Sequence, residues 1–192
     1  MTFQRRKSFA KKRERQAAID DPAVVLEAAA RILESRARSI GEVRRRLTLA
    51  GYRTDLIDAA IVRLTELGML DDAAFARAWL ESRDRARPRG ERALAEELRM
   101  RGVDRTVVAE ALDARREASA ATGSDDGETS SSADEAAATR LLERNFRMLA
   151  RVADPRARRQ RAYALLARNG FDPGVCATVA ARIVEAHEPG SD

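Results

Sequence analysis

The chain has 192 residues, of which 44% are hydrophobic and 35% are charged, and its formal net charge is +5. This composition excludes wholesale disorder, which needs low hydrophobicity and unbalanced charge, and no stretch approaches the ~20 apolar residues of a membrane-spanning helix. A single cysteine and a single histidine exclude a disulfide framework and most metal sites, and without a secretory signal we expect a cytoplasmic protein.

Helix start and stop signals recur along the chain and predict an all-α fold. Three Asp-Pro pairs put a capping carboxylate before a proline suited to the first helical position: Asp21-Pro22, Asp154-Pro155 and Asp172-Pro173. Ser39 and Glu42 form a capping box. Four glycines each follow an amphipathic run, where glycine ends a helix in the left-handed conformation at low cost: Gly51, Gly68, Gly102 and Gly170.

A pattern of leucine, glycine and paired apolar residues occurs three times, around Gly51, Gly102 and Gly170. Each copy indicates a helix that ends at the glycine, a turn filled by an apolar residue, and a second helix. An amphipathic helix precedes each copy, at roughly 22–37, 72–86 and 134–152. The repeat is therefore a three-helix module, and because one such module buries little surface alone, we expect the three modules to stack as a tandem array.

In chain order these signals divide the sequence into five parts. Residues 1–20 form a basic tail that we expect to be disordered. Residues 21–70 form the first three-helix module, and residues 71–116 form the second. An acidic, Ser/Gly-rich linker or insertion occupies residues 117–133, and the third module covers residues 134–188.

Residues that could support catalysis or bind a metal are better explained by structure. Asp71-Asp72 precedes a helix, where carboxylates cap backbone amides. Cys176 occupies a repeat position that is apolar in the other two modules, which favours a buried role, and His187 lies beyond the last strong apolar position. No phosphate-binding glycine motif is present. We therefore expect no catalytic residues, no metal and no cofactor.

Two clusters of arginine outside the tail stand out. The turn cluster consists of Arg83, Arg85, Arg87, Arg89 and Arg92. The ridge consists of Arg140, Arg144, Arg147 and Arg151, which fall on one stripe of a helix. Like charges four residues apart are unfavourable on their own, so the ridge favours an anionic partner over a solvated face. Arginine suits carboxylates and phosphates alike, and the scarcity of neighbouring aromatic residues favours phosphate contact without base stacking.

A specific resemblance lies in the segment from Leu70 to Arg83, which continues through Arg87-Pro88-Arg89-Gly90 to Val103. It resembles the central signature of the RecX family, in which a Leu-Asp-Asp start leads to Phe-Ala, and a Glu-Leu pair precedes a basic residue and glycine. The residues that match this signature are Leu70, Asp71, Asp72, Phe75, Ala76, Arg83, Glu97, Leu98 and Gly102.

The resemblance implies a non-enzymatic regulator of the RecA recombinase that acts in DNA repair and the SOS response. RecX proteins are elongated, curved arrays of three-helix modules that lie in the groove of the RecA–DNA filament. They restrain its ATPase, strand exchange and co-protease activities. The implied partners are the RecA filament and single- or double-stranded DNA, contacted through phosphates, and we expect a monomer. The turn cluster and the ridge are then the predicted partner-binding residues, and the signature residues are mostly structural.

Two alternatives remain open. One is a stand-alone helical DNA- or RNA-binding protein that uses its arginines, because each helix–glycine–helix unit looks like a helix-turn-helix. That motif needs polar base-reading side chains on its second helix, whereas the helices after the glycines begin with apolar pairs such as Leu56-Ile57 and Val107-Val108. The other alternative is a structural adaptor, which would leave the arginines unexplained.

Overall fold

The protein is all-α in a computed structural model that describes residues 10–11, 13–122 and 132–186. The first three long helices are α1 (Pro22–Leu33), α2 (Ile40–Ala50) and α3 (Thr54–Glu66). The next three are α4 (Asp72–Ala86), α5 (Glu91–Met100) and α6 (Arg105–Thr122). The last three are α7 (Ala133–Leu149), α8 (Pro155–Arg168) and α9 (Pro173–Glu185). The predicted fold class is confirmed, and none of these helices combines the length and apolar character of a membrane span.

The capping signals act as the sequence predicts. The carboxylates of Asp21, Asp154 and Asp172 each accept hydrogen bonds from backbone amides of the helix that follows. The hydroxyl of Ser39 accepts from Glu42 N at 3.1 Å. The four helix-ending glycines all have positive φ, between 68° and 104°, a conformation that other residues adopt only at a cost.

Two helices end earlier than their apolar pattern suggests, and an arginine takes a carbonyl near each end. The first helix stops at Leu33 instead of continuing to about 37, and Arg38 Nε donates to Ile32 O at 3.0 Å. The ridge helix α7 stops at Leu149 instead of 152, and Arg158 Nε donates to Val152 O at 3.1 Å. In both cases an arginine six residues along the chain supplies the donor.

The segments expected to be a disordered tail and a linker contain helix where the structure describes them. Residues 13–17 are helical, and Gln16 Nε2 donates to the hydroxyl of Tyr52 at 3.3 Å. Helix α6 extends to Thr122, because residues 117–122 include three alanines and a glutamate, which favour helix. Residues 1–9, 12 and 123–131 lie outside the described part of the chain, and so does His187.

The helices belong to two compact units that do not coincide with the three sequence modules. Unit 1 comprises residues 1–75 and 100–104, and unit 2 comprises residues 76–99 and 105–192. The core of unit 1 is built by α1, α2 and α3, and its fully buried side chains include Val25, Val43, Leu47, Ile57 and Leu64.

The main core of unit 2 is built by α7, α8 and α9. It includes Leu142, Leu166, Phe171 and Cys176, all fully or almost fully buried. The expected core role of Cys176 is confirmed, and burial raises the pKa of its thiol. A cysteine in this environment is a packing residue rather than a nucleophile.

In unit 1 the start of α2 is completed by residues from much later in the sequence. Asp72 Oδ1 accepts a hydrogen bond from Ile40 N at 2.8 Å, and Ser39 Oγ donates to Arg101 O at 2.5 Å. The backbones also touch, because a β-carbon on Gly41 would lie 2.6 Å from the Cα of Gly102. The start of α2 is therefore locked against the glycine turn that ends α5.

In unit 2 the start of α5 is completed in the same way. Asp134 Oδ2 accepts from Glu91 N at 3.1 Å, and Gly90 N donates to Asn169 O at 3.1 Å. A β-carbon on Gly90 would lie 2.3 Å from Gly170 O. The same joint is thus built twice, each time from a carboxylate, a carbonyl and a glycine–glycine contact.

The close contact at Gly41 gives a first prediction. Gly41→Ala adds a β-carbon that clashes with backbone, so we expect the free energy of unfolding to fall by about 1–3 kcal/mol in urea denaturation. Gly174→Ala, at the matching position of α9, is the control and should cost less, because its β-carbon would meet one side-chain oxygen, Asp172 Oδ1 at 3.2 Å, and no backbone of another segment. Equal stability of Gly41→Ala and wild type would contradict the close joint.

The carboxylate at the same joint gives a second prediction. Asp72→Ala removes the cap on Ile40 N and should lower the free energy of unfolding by about 1 kcal/mol. Asp72→Asn keeps an acceptor oxygen and should be at least as stable as wild type at pH 7.

The reason for this difference is that burial raises the pKa of Asp72 above its ordinary value of 3.8. The native state therefore holds a proton on Asp72 where the unfolded chain has lost it, so this stabilising contribution is complete below 3.8 and is lost as pH rises through the native pKa. Urea denaturation from pH 3.5 to 7 should show Asp72→Asn gaining on wild type as pH rises. If Asp72→Asn loses as much stability as Asp72→Ala, this explanation is refuted.

Candidate functional site

The turn cluster surrounds the connection between α4 and α5. This connection is short because α4 ends at Ala86 and α5 begins at Glu91, and it is anchored by the buried residues Pro88 and Gly90. Pro88 and Gly90 therefore fix the turn against the protein. Arg83 and Arg85 lie at the end of α4, Arg87 and Arg89 lie in the turn, and Arg92 lies in the first turn of α5.

Glu97 on α5 holds two arginines of the turn cluster. Its Oε2 accepts from Arg83 Nε at 2.7 Å and from the indole N–H of Trp79 at 3.1 Å. Its Oε1 lies 3.3 Å from Arg89 Nε. The guanidinium of Arg83 also stacks over the Trp79 ring, 4.2 Å from the ring centre. Arg83 and Arg89 are therefore already paired with a carboxylate of their own chain.

The other three arginines of the turn cluster are exposed to solvent. Arg85 makes one long hydrogen bond, 3.4 Å from its Nε to Glu81 O. Arg87 and Arg92 form no ion pair with any carboxylate of the described residues. These three side chains are the members of the cluster that an outside partner can reach.

The ridge meets the turn cluster through Arg144. Its Nη1 donates to Ala86 O at 2.8 Å and its Nη2 donates to Arg85 O at 2.7 Å, so the side chain caps the C-terminal end of α4. A cation at a helix C-terminus is favourable because it meets unpaired carbonyls. Arg144 thus joins the two groups of arginines through contacts that span 58 and 59 residues of sequence.

The remaining ridge residues differ in their surroundings. Arg140 is half-buried, with its Nη2 3.8 Å from Asp84 Oδ1. Arg147 lies on the last turn of α7, and Arg151 follows the end of that helix. Both are exposed and form no ion pair within the described part of the chain. The ridge therefore consists of two residues with partners in the protein, Arg140 and Arg144, and two that form no ion pair with the described residues, Arg147 and Arg151.

One buried ion-pair network in unit 2 was missed by the sequence reasoning. Arg115 on α6 donates to both oxygens of Asp84, at 2.9 and 3.0 Å, and to Asp134 Oδ1 at 2.9 Å. Burial works to lower the pKa of Arg115, but the two carboxylates outweigh it and raise the pKa. The partners lie 19 and 31 residues away, so helical spacing gave no signal for this network.

Several residues of the family signature are buried or cap helices. Leu70, Phe75, Ala76 and Leu98 are buried. Asp71 caps its own helix by accepting from Ala74 N at 2.9 Å, whereas Asp72 caps α2. The expectation that Asp71-Asp72 is a capping pair is confirmed, although the two carboxylates cap different helices. Among the described residues no three His, Cys, Asp or Glu side chains are grouped as a metal site needs.

Comparisons with known proteins agree with this architecture. A family model described as the first three-helix domain of RecX matches residues 26–64, and one described as the second three-helix domain matches residues 71–112. The regulatory protein RecX of Mycobacterium ulcerans (strain Agy99) is 34% identical over 149 residues, which cover 78% of each chain. The RecX of Mycolicibacterium smegmatis is 45% identical over 82 residues, so that alignment spans 44% of its length.

Solved structures show the same fold. The crystal structure of RecX from Lactobacillus salivarius superposes with a TM-score of 0.70, covering 87% of this chain and 98% of that one at 17% identity. A second crystal structure of a regulatory protein RecX gives a TM-score of 0.66 at 16% identity and covers 83% of this chain and 71% of its own. At these identities the likeness shows the fold alone.

The two kinds of ridge residue lead to a third prediction. Arg144→Ala removes both hydrogen bonds to the end of α4, so the free energy of unfolding should fall by about 1 kcal/mol. Arg147→Ala, one helical turn away and exposed, should leave it unchanged. Equal effects in thermal or urea denaturation would show that Arg144 is not an anchor.

Proposed function

Because this chain belongs to the RecX family, we propose that it regulates the RecA recombinase without catalysing a reaction of its own. In this proposal it binds in the groove of the RecA–DNA filament and restrains ATP hydrolysis, strand exchange and co-protease activity. Its setting is DNA repair and the SOS response in the cytoplasm, and it acts as a monomer.

The main support for the binding part of this proposal is that the turn cluster and the ridge are in contact. Arg144 bonds to the backbone at Arg85 and Ala86. Arg147 lies one helical turn further along α7, so exposed arginines from both groups share one side of unit 2. Each arginine that neutralises a phosphate releases counterions, and this release is the main source of sequence-independent DNA affinity.

The arrangement favours contact with the backbone of DNA rather than with its bases. The aromatic side chains among the described residues of α4 and α5 are Phe75, which is buried, and Trp79, on which Arg83 already stacks. The guanidinium fork fits phosphate and carboxylate equally well. The same surface can therefore contact DNA phosphates and acidic faces of RecA protomers, and a contact that bridges two protomers would hold the filament in one state.

The helix-turn-helix alternative has less support. The helix after the first glycine turn, α3, buries Leu56, Ile57, Ala60, Ile61 and Leu64. In α6, which follows the second, Val108, Ala111 and Leu112 are buried. A recognition helix presents polar side chains to the bases from its first turns, whereas the apolar residues near the start of α3 and α6 are buried, which favours a structural role for both helices.

The test is the ATPase activity of the cognate RecA on single-stranded DNA, with this protein added at substoichiometric ratios. We expect inhibition by wild type. Reversing two exposed charges with Arg87→Glu and Arg147→Glu should raise the concentration for half-inhibition about tenfold or more, because like charges across an interface are costly. Helicity should not change, because neither side chain forms an ion pair with the described residues.

A matched control is the pair Arg105→Glu and Arg168→Glu, which reverses the same number of charges at exposed positions outside both groups. It should inhibit nearly as well as wild type. If wild type neither inhibits RecA nor binds preformed filaments, the proposal fails. Salt-sensitive binding to bare DNA in that case would instead favour the stand-alone nucleic-acid-binding protein.

A further inference from the structure

Glu97 stands out because it is surrounded by the donors that would otherwise bind an anion. Two arginines and one indole N–H converge on its carboxylate, within 2.7 to 3.3 Å. Arginine pairs with a carboxylate and with a phosphate through the same fork of donors. The carboxylate of Glu97 therefore occupies the place that a phosphate oxygen would take between Arg83 and Arg89.

This cluster lies at the surface, where an outside anion can compete. The side chains of Arg83 and Glu97 are 24% and 23% exposed, and that of Arg89 is 37% exposed. Water reaches these partly exposed ion pairs and weakens them by screening. Exchanging one anionic partner for another is therefore energetically accessible at Glu97.

Glu42 in unit 1 is also surrounded by arginines, three in its case, but it is less accessible to an outside anion. It lies near Arg36, Arg38 and Arg101, at 3.0, 3.7 and 2.5 Å, but its side chain is only 12% exposed. The Arg38 side chain is 8% exposed, and its other donors bind Ile32 O and Ser35 Oγ. Arg36 and Arg101 are 47% and 27% exposed, so the contrast lies in the carboxylate and in Arg38. Glu42 is more deeply buried than Glu97 and is held by a buried arginine, whereas no arginine at Glu97 is buried.

We infer that Glu97 is an internal competitor for phosphate, which withholds Arg83 and Arg89 from the basic surface and so limits its affinity for DNA. The inference deepens the proposed function and rests on its DNA contacts. In the free protein Arg85, Arg87 and Arg92 are available to phosphates, and Arg83 and Arg89 are held. Glu97 therefore sets how many arginines of the turn cluster take part in binding.

The number of phosphates contacted can be measured from the salt dependence of binding. For single strands, the slope of log K against log salt concentration changes by about 0.7 for each phosphate neutralised. Releasing two arginines should therefore steepen the slope by about 1.4. Between 50 and 200 mM salt, a slope difference of this size reduces the affinity advantage of the variant about sevenfold.

The experiment measures binding of the full chain to a fluorescent oligothymidylate at several salt concentrations. Glu97→Gln keeps an acceptor for Trp79 but removes the charge, so we expect tighter binding at low salt and a slope steeper by about 1.4. Glu110→Gln, an exposed glutamate on α6, removes the same charge and should leave the slope unchanged. Equal slopes for Glu97→Gln and wild type would overturn the inference.

Two neighbouring arginines test the same inference in the wild-type background, without depending on how Glu97→Gln folds. Arg87→Gln should make the slope shallower by about 0.7, because Arg87 is available. Arg89→Gln should leave the slope unchanged, because Glu97 withholds Arg89. Added to Glu97→Gln, however, Arg89→Gln should remove about 0.7 from the slope. If Arg89→Gln and Arg87→Gln have equal effects in wild type, Glu97 does not withhold Arg89.

These outcomes are separate from the test of the proposed function, which needs RecA. If the protein binds the oligonucleotide with the expected slopes but leaves RecA unaffected, the role of Glu97 is supported and the proposed regulation of RecA is rejected. If the protein inhibits RecA but Glu97→Gln and Glu110→Gln give equal slopes, the regulation of RecA is supported and the role of Glu97 is rejected.

Discussion

Two helix starts in this protein depend on a carboxylate from a distant part of the chain. The first amides of α2 and α5 are satisfied by Asp72 and Asp134, which lie 32 and 43 residues away from their partners. An unpaired buried amide is costly, and glycines at each joint let two backbones approach more closely than a β-carbon would allow. The joint at Gly90 fixes where α5 begins, and so it fixes the turn that displays the arginine cluster.

Arginine does three different kinds of work in this structure. Arg38, Arg144 and Arg158 hold backbone carbonyls near helix ends. Arg115 forms a buried network with two aspartates. A third set is exposed and forms no ion pair with the described residues. The sequence alone does not distinguish these three kinds of arginine. The candidate surface can therefore be defined only after the arginines with structural contacts have been identified and excluded.

The fold was largely predictable because its signals are local. Asp21, Ser39, Asp154 and Gly51 each act within a few residues, so caps and helix ends follow from short-range rules. The division of the arginines was not predictable, because it depends on long-range contacts. Arg144 finds its carbonyls 58 and 59 residues away, and the separation between Arg83 and Glu97, 14 residues, spans a turn whose geometry the sequence does not show.

The proposed function depends on the exposed arginines of unit 2, which would form the surface that meets an anionic filament. The most direct measurement is the rate at which an arginine-specific reagent modifies each residue, with and without the RecA–DNA filament. We expect the filament to protect Arg85, Arg87, Arg92, Arg147 and Arg151, while the exposed Arg46 and Arg105 react equally in both samples. Equal modification of the first five with and without the filament would contradict it.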